Sequence, residues 1–146
     1  MIPKKQFKIE LIPKNQMETI LPLLDLLNEG RVSLAVLEKR LESILPMNYE
    51  CIGVYDDDKL IGICGIWFLN KFYVGKHIEP DNVFVLSEYR SAGVGKLMLD
   101  WVIDYAKKIG CDATEVNCYV KNLKGKQFWK NQGYEVVGFH MQQFFK

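Results

Sequence analysis

Residues 7–12 read FKIELI, with apolar and polar positions in alternation, and that period of two predicts a strand closed by Pro13. Apolar residues then recur at helical spacing, at Met17, Ile20, Leu21, Leu24 and Leu27, up to Gly30. Asn15 with Glu18 three residues on reads as a capping box, and Pro22 as a kink or split in this helix. From Ser33, an N-cap residue, Leu34, Leu37, Leu41, Ile44 and Leu45 form a second helical stripe that stops before Pro46. The run YECIGVYDDDKLIGICGIWFL predicts strands over 49–56 and 59–68, the second apolar enough to be central. The DDDK between them reads as a solvated hairpin turn rather than a metal site.

A further long strand is predicted over 72–86, interrupted near Pro80 because proline removes a ladder donor. Val94, Leu97, Met98, Trp101, Val102, Tyr105, Ala106 and Ile109 then repeat at i, i+3, i+4 and i+7, the strongest helical stripe in the chain, with Gly110 at its C′ position. ATEVNCYV (113–120) reads as a strand, and NLKGKQFWKNQ (122–132) as a short helix ended by Gly133. YEVVGFHMQQFF closes the chain as one or two strands pivoting at Gly138. With no linker, internal repeat or low-complexity segment, residues 1–146 are expected to form a single domain.

Composition narrows the classes. At 146 residues and 17.0 kDa, one hydrophobic core suffices without metal or disulfide staples. Lys plus Arg number 19 against 18 Asp plus Glu, so no global field draws the protein to nucleic acid or an anionic membrane, and any anion must be held locally. Cys51, Cys64, Cys111 and Cys118 form no CxxC pair, and His77 and His140 stand alone, so neither zinc spacing nor a redox motif is present. The N-terminal MIPKKQFKIELIPKNQ has lysines but no continuous apolar leader core, and no run approaches the roughly 20 apolar residues of a membrane span. A cytoplasmic, reduced protein without metal or membrane partner is expected.

Candidate chemistry concentrates in VFVLSEYRSAGVGKLMLDWVIDYA, residues 83–106, where Gly93 and Gly95 stand at the mouth of the strongest helix. Glycine costs a helix roughly 1 kcal/mol against alanine, so the position must need bare backbone. A helix that follows directly on a strand points free N–H groups and a positive dipole end outward, which favours a phosphate. Arg90 and Lys96 add charge at the rim. A Walker A loop is excluded, because Leu97 follows Lys96 and Arg90 stands where its first glycine belongs. Met98 in the third glycine's place excludes a dinucleotide fingerprint. A plain strand-to-helix turn is the structural alternative.

What remains is R-x-x-G-x-G, formed by Arg90, Ser91, Ala92, Gly93, Val94 and Gly95. Here the chain resembles the GCN5-related N-acetyltransferases, whose acetyl-CoA signature [QR]-x-x-G-x-[GA] lies between their fourth strand and third helix. DNVFVLSEYR and NLKGKQFWKNQGYEVVG resemble flanking segments of that family, so the likeness is specific over about 78–139, and the order of elements fits over most of the chain. It implies an α/β fold, α+β by some schemes, with a mixed, mostly antiparallel sheet of six to seven strands flanked by about four helices. It also implies that pantetheine lies between a splayed fourth and fifth strand, held by backbone groups of Val83, Phe84 and Val85. The pyrophosphate would rest on N–H groups from Ser91 to Lys96, with Asn122, Gly125 and Phe128 lining the other side. Phe84 and Phe128 read equally as core residues.

The implied reaction is direct attack of an amine on the thioester of acetyl-CoA, driven by proximity, with no covalent enzyme intermediate. A lysine-like amine must lose a proton that costs roughly 4 to 5 kcal/mol at pH 7, so a base helps. Asp81 matches the family's acidic position and Glu79 shares its strand parity; either serves as base through water, holds a cationic substrate, or is merely solvated, and His77 is a weaker base. Trp129 departs from the pattern, standing where many members carry the Tyr that protonates the leaving thiolate, and indole is no proton source. Tyr119, Tyr134, Cys118 or water would then donate, while Trp129 packs against the cofactor. The expected acceptor is a small-molecule or peptide amine, and the terminal FHMQQFF is an edge strand or a homodimer contact. Two other readings stand beside this one: a non-catalytic acyl-CoA-binding or sensing domain with the same fold, and an unrelated phosphate-binding module.

Overall fold

A computed structural model of the chain describes residues 6–145. Residues 1–5, part of the stretch read above as lacking a leader core, and Lys146 lie outside the described residues. Strand β1 (Lys8–Leu11) is followed by a tight 3-10 segment (Lys14–Ile20), α1 (Leu21–Asn28) and α2 (Leu34–Ile44). The expected capping box does not form, since Pro13 precedes the 3-10 segment and no side chain caps it. Of the kink or split expected at Pro22 the split is observed, with the 3-10 segment ending at Ile20 and Pro22 in the first turn of α1, where its missing N–H would be unpaired in any case. Ser33 does cap α2, its hydroxyl accepting from Val36 N at 3.3 Å.

Strands β2 (Tyr49–Asp56), β3 (Lys59–Lys71) and β4 (Gly75–Val85) form an antiparallel meander, with Asp57 at φ 52° in the first turn. Helix α3 (Val94–Lys108) crosses to β5 (Ala113–Thr114), which pairs parallel to β4, and α4 (Leu123–Asn131) follows. The sheet order is β1-β2-β3-β4-β5. Its two faces are covered separately. Ile52, Val54, Ile66 and Ile78 pack with Val94, Met98 and Val102 of α3, whereas Tyr49, Cys51 and Ile63 pack with Met17, Ile20 and Leu23 and are flanked by Leu41 and Ile44 of α2. Each such fully buried aliphatic side chain stabilises the fold by about 1.5–3 kcal/mol relative to exposure.

The mixed, mostly antiparallel sheet and four helices are as expected, but the sheet has five strands rather than six to seven. The strand expected over 113–120 shrinks to Ala113–Thr114, because only His77 and Ile78 of β4 lie in register with it. The closing segment 134–145 joins no ladder and leaves Val137, Phe139 and Phe145 more than four-fifths exposed. Apolar content alone does not make a strand; a neighbouring edge is required.

The interruption of β4 falls just after Pro80. Register with β3 runs unbroken from Gly75 to Asp81 and then shifts, with Asn82 at φ 55° as the bulge. Pro80 is tolerated because the backbone groups of 76, 78 and 80 face the β5 side, as Lys76 O and Ile78 O show by accepting from Asp112 N and Glu115 N. At Pro80 no strand waits there for a donor.

Candidate active site

Two features meet at the C-terminal end of β4. The first is an open strand edge, since β5 pairs with β4 only at His77 and Ile78. Leu86 N donates to Ile61 O on the β3 side; by alternation Phe84 shares that side, while Val83 and Val85 turn their backbone groups to the open edge. Of the three residues singled out in the sequence, Phe84 therefore has its backbone committed to the β3 ladder. The Val85 carbonyl already accepts from Arg90 Nε at 3.0 Å.

The second feature is the start of α3. A short 3-10 segment (Ser87–Ala92) delivers the chain to Gly93, which sits at φ 74° and leaves the helix without a side-chain cap. The left-handed conformation is what requires glycine here, because a Cβ would meet no atom within 4 Å. Gly95 is bare for another reason: a Cβ there would stand 3.3 Å from Cε1 of Phe128. Val94 is fully buried, so it contributes its N–H while its side chain anchors the helix in the core. Ser91 and Ala92 are exposed beside it. The N–H groups of this first turn have no side-chain cap, and such groups together with the helix dipole favour an anion.

The expected cations are turned partly away from that end. The Arg90 guanidinium lies 5.3 Å from the centroid of the Phe84 ring, fixed by its bond to Val85. Lys96 Nζ bonds Asp100 Oδ2 at 2.8 Å along α3.

Asn122 and Gly125 form one local unit. Asn122 Oδ1 accepts from Gly125 N at 2.9 Å and caps α4, and a Cβ at 125 would run into the Asn122 amide. The capped helix presents Phe128 to Gly95, and Phe128, Trp129 and Tyr134 stack edge to face in series, with centroids 5.2 and 5.1 Å apart. Tyr134 ends the series at the strand fork, its hydroxyl 2.9 Å from Thr114 Oγ1 of β5. Burial pushes the Tyr134 hydroxyl above the usual tyrosine range, only partly offset by the bond to Thr114. Tyr119 is 76% exposed and joins no such arrangement, and Cys118 contacts only the carbonyls of Tyr119 and Asn122 at 3.7 Å.

Asp81 sits at the bulge of β4, its Oδ2 accepting from Trp67 Nε1 at 3.0 Å and its Oδ1 from Asn82 N at 2.9 Å. Glu79 lies two residues back on the same face, directed toward His77 and Lys71. The sequence reasoning did not identify Trp67 and Thr114. Trp67 was within reach, because folding the hairpin at Asp57 brings it opposite Tyr49, on which it stacks at 4.8 Å. Of the cysteines, Cys51 is pushed up to about 12 and Cys64 higher still, both by burial, so neither thiolate is accessible as a nucleophile. No helix among the described residues is long and apolar enough to cross a membrane.

The end of β4 thus carries an open strand edge beside an uncapped, glycine-entered helix start. Residues 21–134 match the model described as the acetyltransferase (GNAT) family, and the chain belongs to that family and is an acetyltransferase. It is 22% identical over 107 residues to the Bacillus subtilis (strain 168) N-acetyltransferase YhdJ, covering 73% of this chain and 72% of that one. The fold is similar to a possible acetyltransferase from Clostridium difficile 630, with TM-score 0.81 and 15% identity over 96% and 97% of the two chains. It is also similar to AAC(6')-Iy in complex with the bisubstrate analog CoA-S-monomethyl-acetylneamine, with TM-score 0.76 and 20% identity over 95% and 99%.

The cap geometry gives a stability prediction. Asn122→Ala is expected to destabilise the protein by about 1 kcal/mol in urea unfolding, and Asn122→Asp to restore most of that loss. Equal losses in both variants would mean that Asn122 does not act through its cap.

Proposed function

We propose that the chain, as a single domain, transfers an acetyl group from acetyl-CoA to a primary amine of a small molecule or peptide by direct attack. The observation that carries this reading is the uncapped start of α3 at Gly93 beside the open edge of β4. In this reading Val83 and Val85 bond the pantetheine arm, and backbone N–H groups from Ser91 to Lys96 hold the pyrophosphate. Arg90 supplies charge beside them, and Phe128 and Trp129 flank the cofactor behind Gly95. Asn122 and Gly125 then act at one remove, by setting the α4 start that carries Phe128. A fold neighbour that carries a CoA-linked bisubstrate supports the choice of donor.

Asp81 takes the amine proton through water, its carboxylate oriented by Trp67 and the Asn82 N–H. Tyr134 is the acid for the CoA thiolate, because its phenol is protonated at neutral pH and Thr114 fixes its hydroxyl at the strand fork. The buried, high-pKa thiols of Cys51 and Cys64 support direct attack over a thioester intermediate. Four free cysteines support a reducing, cytoplasmic setting, and the near-balanced charge supports a partner other than nucleic acid.

Acetyl-CoA is expected to raise the melting temperature, and Gly93→Asp to weaken its binding about tenfold or more, by placing a carboxylate where the pyrophosphate belongs. Gly93→Asn, with the same shape and no charge, retains more affinity, and unchanged affinity in Gly93→Asp would rule out this phosphate site. Turnover, read as CoA thiol release over an amine panel, is expected to fall about 100-fold in kcat for Tyr134→Phe with little change in the KM for acetyl-CoA. An unaltered kcat would remove Tyr134 from the acid's role.

The exposed apolar segment 136–145 and the unpaired edge beyond Thr114 belong to the same chain, so two copies can supply each other's missing strand as a homodimer. Light scattering is expected to give twice the 17.0 kDa chain mass, reverting to the monomer in Phe139→Asp. A monomeric wild type would exclude this pairing.

A further inference from the structure

The imidazole of His77 is fully buried, yet its Nε2 makes no hydrogen bond. Its Nδ1 lies 3.0 Å from Gly75 O. A carbonyl can only accept, so Nδ1 carries the hydrogen, which leaves Nε2 as the nitrogen that can offer a lone pair when the ring is neutral. That lone pair faces carboxylate oxygens of Glu79 at 3.6 Å and Glu115 at 3.4 Å. Nε2 and the two carboxylate oxygens thus converge, the ring nitrogen deep in the protein and the carboxylates at its rim, with side chains 22% and 26% exposed.

A proton on Nε2 fits this spacing poorly. Charge-assisted N–H···O bonds close to about 2.7–2.9 Å, well inside both separations. A metal ion fits better, since bonds of about 2.1 Å in a tetrahedron place neighbouring ligand atoms about 3.4 Å apart. All three ligand atoms lie within 4.8 Å of one another. The Nδ1–H bond to a backbone carbonyl is also the contact that holds a metal-bound histidine in the required tautomer. Tyr73 Oη donates to Glu115 Oε1 at 3.4 Å, and Lys71 Nζ stands 3.9 Å from Glu79 Oε1, where its partly exposed chain can turn to solvent.

We propose that His77, Glu79 and Glu115 bind one divalent first-row transition ion at the fork of β4 and β5, with water completing the shell. One nitrogen and two carboxylate oxygens suit ions from Mn²⁺ to Zn²⁺ and do not require thiolate. The ligands come from adjacent strands, His77 and Glu79 from β4 and Glu115 from just past β5, so the ion ties the two strands together where they part.

The test is metal uptake by the full-length protein after chelator treatment, a readout independent of acetyl transfer. Titration calorimetry with Zn²⁺ alone is expected to show one ion per chain, and binding weakens about tenfold or more in Glu115→Gln and in Glu79→Gln. Both substitutions lie at the partly exposed rim, and circular dichroism checks that the variants fold. In ¹⁵N spectra of the imidazole, Zn²⁺ shifts the His77 Nε2 resonance while Nδ1 stays protonated. Binding is retained in the Cys111→Ser, Cys118→Ser double variant. Absence of uptake, uptake unchanged in both glutamine variants, or uptake lost with the two cysteines would each overturn the assignment.

Discussion

His77 and Ile78 of β4 pair with Ala113 and Thr114 of β5, and the Glu115 N–H still reaches Ile78 O before the strands separate. This short parallel ladder governs what lies on both sides of it. Upstream, it closes the sheet and buries His77 and Ile78. Downstream, it leaves the β5 side of β4 without a ladder at the point where Val83 and Val85 turn toward it. Unpaired backbone in a folded protein must meet water or a ligand. A strand edge left open beside an uncapped helix start therefore offers its backbone groups to water or to a ligand.

The helix start depends on that edge in turn. Arg90 bonds back to Val85, and Val94 is buried against Ile66 and Ile78, so the turn carrying Gly93 is fixed to the end of β4 from both sides. The two glycines serve different constraints. Gly93 satisfies its own backbone conformation, at φ 74° in open space, whereas Gly95 gives way to a neighbour, the ring of Phe128. Through that contact, the cap made by Asn122 and Gly125 sets how closely α4 approaches the start of α3. A motif in α4 and a motif before α3 are in this way one mechanical unit.

Legibility in the sequence followed the range of the interactions. The apolar stripes of α1, α2 and α3, the cap at Ser33 and the turn at Asp57 were readable because each is settled within a few residues. Pro22 was legible as a split for the same reason, since the stretch divides between Ile20 and Leu21 and the proline falls in the first turn of α1. The strand expected over 113–120 and the closing strands failed for a different reason, since a strand needs a partner edge and the chain supplies only two residues of it to β5. The glycine loop was legible as a glycine-entered helix start, and its resemblance to a family, whose model matches residues 21–134, narrowed it further. The convergence of His77, Glu79 and Glu115 was not, because residues nearly 40 apart meet only through the parallel crossover.

Trp129 marks where a motif and its chemistry come apart. An indole there can donate a hydrogen bond but cannot protonate a thiolate, so the position retains only its packing role. The packing has a direction, from Phe128 behind Gly95, through Trp129, to Tyr134 at the fork. The same series that presses α4 against the start of α3 also places a half-buried phenol beside Thr114, on the strand that diverges from β4. In the proposed mechanism, moving the acid from position 129 to Tyr134 thus requires no change in the fold. Tyr134 lies five residues further along the chain, beyond the end of α4, and the Trp129 ring carries it into place.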